Sequence, residues 1–139
     1  VRGGSQGGGL ALVTAALNPE IILCIADIPF LVDWGNYFEI TDWPEMNRWV
    51  ESRAERTWET TLQTMSYFDL VNFAPRIRCE TIWGIGLQDP ICPPTTIFSA
   101  YNRIESKKMF YVYPRAGHWI PQRHHDIAWG KIRERLLAE

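Results

Sequence analysis

Chemistry in this chain could begin at Ser5, which stands in Gly3-Gly4-Ser5-Gln6-Gly7 with Gly8, Gly9 and the apolar run Leu10-Ala11-Leu12-Val13 behind it. The G-x-S-x-G spacing predicts a serine on a sharp strand-to-helix turn, with glycines two positions either side letting the strand and helix backbones pass close together. Free first-turn amides and the positive end of the helix dipole would then face any oxyanion formed beside the hydroxyl. The amide of Gln6, next after the serine, is the expected donor. A serine hydroxyl is a weak nucleophile, so a base and an acid that orients it are needed downstream.

Both are found where strands should end. Thr81-Ile82-Trp83-Gly84-Ile85-Gly86-Leu87 reads as a buried strand followed by Gln88-Asp89-Pro90, and Met109-Phe110-Tyr111-Val112-Tyr113 reads as a strand followed by Pro114-Arg115-Ala116-Gly117-His118. Asp89 and His118 would thus share one sheet edge with Ser5. Asp27 is a rival acid, because it ends the strand Ile21-Ile22-Leu23-Cys24-Ile25-Ala26; its other role would be to cap and stiffen a loop. Pro90 and Pro93-Pro94 would stiffen the loop that holds Asp89. Pro93 and Trp119, one in each loop, are the expected substrate contacts. The chain order Ser, Asp, His is that of the α/β-hydrolase fold.

Longer strings sharpen this. Gly3-Gly4-Ser5-Gln6-Gly7-Gly8-Gly9-Leu10, Tyr67-Phe68-Asp69, Asn72-Phe73-Ala74-Pro75-Arg76, Gly86-Leu87-Gln88-Asp89-Pro90-Ile91-Cys92-Pro93-Pro94-Thr95 and Ala100-Tyr101-Asn102 resemble the acetyl xylan esterases and cephalosporin C deacetylases of carbohydrate esterase family 7. The resemblance runs from the first residue to about Arg123 and favours Asp89 over Asp27. It implies a Ser5-His118-Asp89 esterase that removes acetyl groups from small acetylated sugars (acetyl xylan or xylo-oligosaccharide, or cephalosporin C), assembled as a homo-oligomer, a hexamer in the family. Directly after the histidine the family usually has an acidic residue, where this chain has Trp119.

The resemblance also implies that about half of such an enzyme lies upstream of the nucleophile turn, including first strands and a second oxyanion donor. The chain is accordingly read as the C-terminal portion of an α/β-hydrolase domain, mostly parallel sheet flanked by helices. Its upstream half is expected in the same polypeptide or replaced by another chain. Two other readings stay open: a different hydrolase of this fold, such as a peptidase or thioesterase, and a catalytically silent fragment that acts only in assembly.

The elements that must hold these residues follow from spacing. Residues 5 to 17 predict an apolar helix buried beneath the active edge, stopped by Asn18-Pro19. Residues 33–66, rich in Trp, Glu and Arg, predict a helical cap with one helix from Pro44 through Val50 and a second over Glu55–Met65. Trp34, Phe38, Trp43 and Trp49 could touch substrate there, or serve as core. Asp69 should cap a short turn. Thr95 should start a helix through Tyr101, and Asp126–Leu137 an amphipathic one covering a sheet face.

Composition narrows the rest. The 139 residues, 46% apolar, make one domain's worth of chain with enough apolar surface for a core. A net charge of -2, without basic clusters interleaved with aromatics, argues against nucleic acid, and no apolar stretch reaches membrane-span length. Cys24, Cys79 and Cys92 are odd in number and lack ligand spacing, which favours free thiols in a reduced, cytoplasmic setting. His124 and His125 are adjacent and point apart, so neither a metal nor another cofactor is expected. The seven tryptophans are expected mostly in the core or at subunit contacts.

Overall fold

The apolar runs pair side by side into a single four-stranded sheet in the computed structural model, which describes residues 1–137. Strands β1 (Arg2–Gly4), β2 (Leu23–Asp27), β3 (Glu80–Gly86) and β4 (Lys108–Tyr113) lie in that order, all parallel. Every residue of β2 and β3 is buried, the pattern of parallel strands covered on both faces. The strand β4 is an outer one, with Met109 and Phe110 exposed. The register Gly4↔Asp27, Asp27↔Gly84 and Gly84↔Tyr111 brings the carboxyl ends of all four strands to one edge.

Parallel neighbours need crossovers, and here these are helical. The alternation along β2 and β3 sorts the core into two faces. Cys24, Ala26, Trp83 and Ile85 pack with Leu12 and Ala15 of α1 (Gln6–Leu17) and with Ile97 and Ala100 of α6 (Pro94–Arg103). Leu23, Ile25 and Ile82 pack on the other face with Ala128 of α7 (Gln122–Leu137). Helix α1 is not wholly buried as its apolar run suggested, since Leu10 and Leu17 are about half exposed on its outer side.

Residues 33–66 form three helices, one more than the spacing indicated: α2 (Trp34–Ile40), α3 (Pro44–Glu51) and α4 (Trp58–Met65). Helix α4 begins three residues after Glu55 because Thr57 and Thr60 cap each other reciprocally, a capping box with threonine in place of the usual glutamate. Phe30, Trp34, Tyr37, Phe38, Trp43 and Trp58 pack ring against ring, with centroid separations of 4.7 to 6.4 Å between neighbours. Tryptophan burial is mixed: Trp34 and Trp83 are buried, whereas Trp49, Trp119 and Trp129 are about half exposed. Asp69 caps α5 (Leu70–Phe73) through Val71 N–H at 3.0 Å, and it also accepts the N–H groups of Asp33 and Trp34 at 2.8 and 2.9 Å. It therefore fastens the entry to α2 as well as its own turn. Helix α7 starts at Gln122, a turn before Asp126, because Pro121 supplies the first carbonyl acceptor, for His124 N–H at 2.8 Å.

The glycines of the turn divide the work differently from the symmetric expectation. A Cβ on Gly3 would collide with the carbonyl of Gly7, and one on Gly9 with the carbonyl of Phe30, yet one on Gly7 would meet only open space. Gly9→Ala is therefore expected to destabilise the fold by about 2 kcal/mol or more through overpacking against backbone that cannot yield. Gly7→Ala should instead gain up to about 1 kcal/mol of helix propensity. Urea unfolding of the two variants checks the contrast, and equal midpoints would contradict it.

Candidate active site

Ser5 leaves β1 with φ 54° and ψ −125°, a backbone conformation that costs a non-glycine residue about 1–3 kcal/mol and persists only where its surroundings enforce it. The enforcement is visible. Ser5 N–H donates to the Asp27 carbonyl at 2.9 Å, and the Ser5 carbonyl accepts from Gly8, Gly9 and Phe30 at 2.9 to 3.1 Å. Ile28, Leu31 and Asp33 in the segment beneath also have positive φ. That segment is held by Ile28 N–H on the Gly84 carbonyl at 2.7 Å and by the Asp69 carboxylate. Although Ser5 is the N-cap of α1, its hydroxyl makes no capping bond to the helix. The Gln6 amide, at the first helical position, has no acceptor among the described residues.

Asp89 follows β3 and its side chain is fully buried. Its Oδ1 accepts the N–H groups of Ile91 and Cys92, both at 2.9 Å, so the carboxylate is oriented by its own loop. That loop is zipped to the one after β4. Leu87 and Gln88 N–H donate to the carbonyls of Tyr113 and Ala116 at 3.2 and 2.9 Å, and a Cβ on Gly86 would strike Ala116 and Gly117. His118 lies on this second loop, about a quarter exposed. Its Nδ1 is 2.9 Å from Asp89 Oδ2 and its Nε2 3.0 Å from Ser5 Oγ. The carboxylate can only accept, so Nδ1 carries the proton and Nε2 presents its lone pair to the serine hydroxyl.

The structure thus brings Ser5, Asp89 and His118 together and leaves Asp27 apart. The Asp27 carboxylate faces His124 and Arg2 at 2.7 and 3.2 Å, an ion-paired role rather than the loop cap expected of it. Burial pushes the Asp27 carboxyl up, but the His124 and Arg2 contacts outweigh it and hold the group below the usual carboxylate range. Cys92 lies beside the trio, its thiol pushed up to about 12 by burial and by the Asp89 charge, so it stays a neutral thiol and no competing nucleophile. Asp89, Cys92 and His118 are also the described residues whose donor atoms could converge on a metal, within 4.8 Å of one another. A cation there would displace the bond from His118 to Asp89.

Ser5 opens into a cavity of about 340 Å³ lined by Phe30, Tyr37, Thr41, Asp42, Trp43, Pro90 and Ile91. Pro93 and Trp119 are not on it. Pro93 is buried, its carbonyl accepting the Thr96 hydroxyl and amide at the start of α6, and Trp119 faces a separate hollow beside Tyr113 and Arg123. Trp43 was a candidate among the cap aromatics, whereas Phe30, Tyr37 and Asp42 carried no local signal. A larger cavity of about 450 Å³ between α3 and α4 contains no reactive group of the trio. No helix of the described residues is long and apolar enough to cross a membrane.

The family model described as acetyl xylan esterase (AXE1) matches residues 1–130. The chain belongs to the acetyl xylan esterase family. This family member is 39% identical over 121 residues to the acetyl esterase Axe7A of Xylanibacter ruminicola, a match covering 86% of the chain and 27% of that protein. It superposes on the acetyl xylan esterase of Paenibacillus sp. R4 with a TM-score of 0.88 at 37% identity, covering 95% of this chain and 43% of that one. With acetyl xylan esterase 1 of Thermoanaerobacterium sp. JW/SL YS485 the values are 0.86, 36%, 94% and 43%. These solved relatives have the α/β-hydrolase fold, and the family member spans less than half of their length.

Proposed function

We propose that this chain carries the nucleophile, base and acid of a serine esterase that removes acetyl groups from small acetylated sugars. The observation that carries the reading is the continuous relay from Asp89 through His118 to Ser5 Oγ, at 2.9 and 3.0 Å. His118 Nε2 takes the hydroxyl proton as Ser5 Oγ attacks the acetyl carbonyl, and Asp89 stabilises the imidazolium that forms. The tetrahedral oxyanion lies toward the Gln6 amide; a donor of this kind contributes about 3 kcal/mol to the transition state. A second donor is assigned to the part of the relatives that this chain does not span. Collapse expels the deacetylated sugar after His118 protonates the leaving oxygen, and water repeats the sequence to release acetate.

The substrate class is taken from the names of the relatives and is supported by a cavity that pairs the Trp43 and Tyr37 rings with the Asp42 carboxylate, a chemistry suited to sugar rings and hydroxyls. Family resemblance extends the proposal to a homo-oligomer, and the three buried free thiols support a reduced, cytoplasmic setting. The test uses the full-length protein on acetylated xylo-oligosaccharide, an aminoacyl anilide and an acyl thioester. Acetate release from the sugar should dominate, and faster turnover of either other substrate would overturn the reading in favour of a peptidase or thioesterase.

A further inference from the structure

A second histidine and carboxylate meet beneath the site, and neither takes part in the relay. His124 is completely buried at the start of α7, with Nε2 2.7 Å from Asp27 Oδ1 and Nδ1 2.9 Å from the Tyr113 hydroxyl. Asp27 Oδ2 accepts from Arg2 on β1, and Arg2 in turn contacts His125. The carboxylate can only accept, so Nε2 carries the proton and Nδ1 accepts from the tyrosine O–H. Both imidazole nitrogens, both carboxylate oxygens and the hydroxyl are thereby satisfied, which a buried polar group requires. Room for the ring is built into the sheet: a Cβ on Gly84 would lie 2.8 Å from His124 Nε2.

The placement gives this network a purpose beyond packing. Tyr113 is the last residue of β4 and His124 sits in the first turn of α7, so their bond closes the base of the loop that carries His118. Asp27 is the residue whose carbonyl holds the Ser5 amide. Two side-chain bonds and one backbone bond therefore run from the frame of the base to the frame of the nucleophile. We infer that His124 is a positioning residue that sets His118 against Ser5 by tying the foot of the His118 loop to Asp27, with Tyr113 as its second anchor.

The inference rests on the esterase reading, and the experiment separates the two. In the full-length protein, Tyr113→Phe removes one bond and keeps the ring, and His124→Gln keeps an amide within reach of Asp27 while giving up the tyrosine. Each variant, shown folded by circular dichroism, should lose about tenfold in kcat on acetylated xylo-oligosaccharide, the scale of a sub-ångström misplacement of reacting groups. KM should stay within about twofold, because substrate contacts are untouched. The rate at which a fluorophosphonate labels Ser5 should fall by the same factor as kcat, and the double variant should lose no more than either single one, since both cut one bond. Unchanged kcat and labelling in folded variants, or losses that multiply in the double variant, would overturn the positioning role. Labelling does not depend on which ester is preferred. A parent protein that labels but releases no acetate would overturn the substrate and leave the labelling comparison to decide on His124, whereas a parent whose Ser5 does not label would overturn both.

Discussion

Ser5→Ala in the full-length protein is expected to lower kcat for acetate release by about a millionfold, the scale seen when a serine nucleophile is removed from a complete relay. The size follows from what the hydroxyl does and from what it does not do. In the proposed mechanism it forms the covalent intermediate, and no neighbouring group replaces it, because the nearby Cys92 thiol is pushed up to about 12 and stays protonated. It contributes no helix cap, so its removal leaves the start of α1 as it was. The strained backbone at φ 54° is enforced by the amides of Gly8, Gly9 and Phe30 on the Ser5 carbonyl, which the substitution does not touch. Loss of activity should therefore come without loss of fold and with KM little changed. Retention of more than about one per cent of the parent kcat in a folded sample would remove Ser5 from the mechanism.

Asp89→Asn is expected to cost about 10⁴-fold in kcat, nearly all of it through the histidine tautomer. The asparagine oxygen can still accept the Ile91 and Cys92 amides, so the loop should keep its shape. The amide nitrogen would then face His118 Nδ1, which could approach it only as an acceptor, and the ring proton would move to Nε2. An imidazole in that state cannot take the Ser5 proton. Steady-state rates with circular dichroism on the same sample make the measurement. A loss smaller than about tenfold would show that Asp89 is not the group that orients the base.

What could be read in advance was what is local. The Gly3 to Gly9 turn, the runs that became β2, β3 and β4, and the loop positions of Asp89 and His118 are each signalled within about ten residues, where strand periodicity and turn chemistry act. Boundaries shifted where a single residue's hydrogen bond decided them, the Thr60 hydroxyl for α4 and the Pro121 carbonyl for α7. The pairing of Asp27 with His124 spans 97 residues and has no sequence signal, because nothing in a strand end or a helix start announces which partner burial will supply. The walls of the cavity beside Ser5 lack a local signal for a related reason. Pro93 and Trp119 are near Asp89 and His118 in sequence, but the backbone turns them away, and chain from residues 30–43 fills the space instead.

The zipper between the turn after β3 and the turn after β4 separates two jobs that share one cavity. Asp89 and His118 ride on segments bonded to each other, so proton handling is fixed by one half of the cavity, while Tyr37, Asp42 and Trp43 come from an excursion that makes no hydrogen bond to His118 or Asp89 among the described residues and meets their half through the Thr41 hydroxyl, which donates to the Pro90 carbonyl at 3.1 Å. Selection, natural or in the laboratory, can therefore exchange the excursion's side chains to suit a new acyl donor while the reactive half keeps its alignment. Diversification of specificity in such a scaffold should concentrate on Tyr37, Asp42 and Trp43 and leave the zipped turns and the Thr41 bond to Pro90 alone.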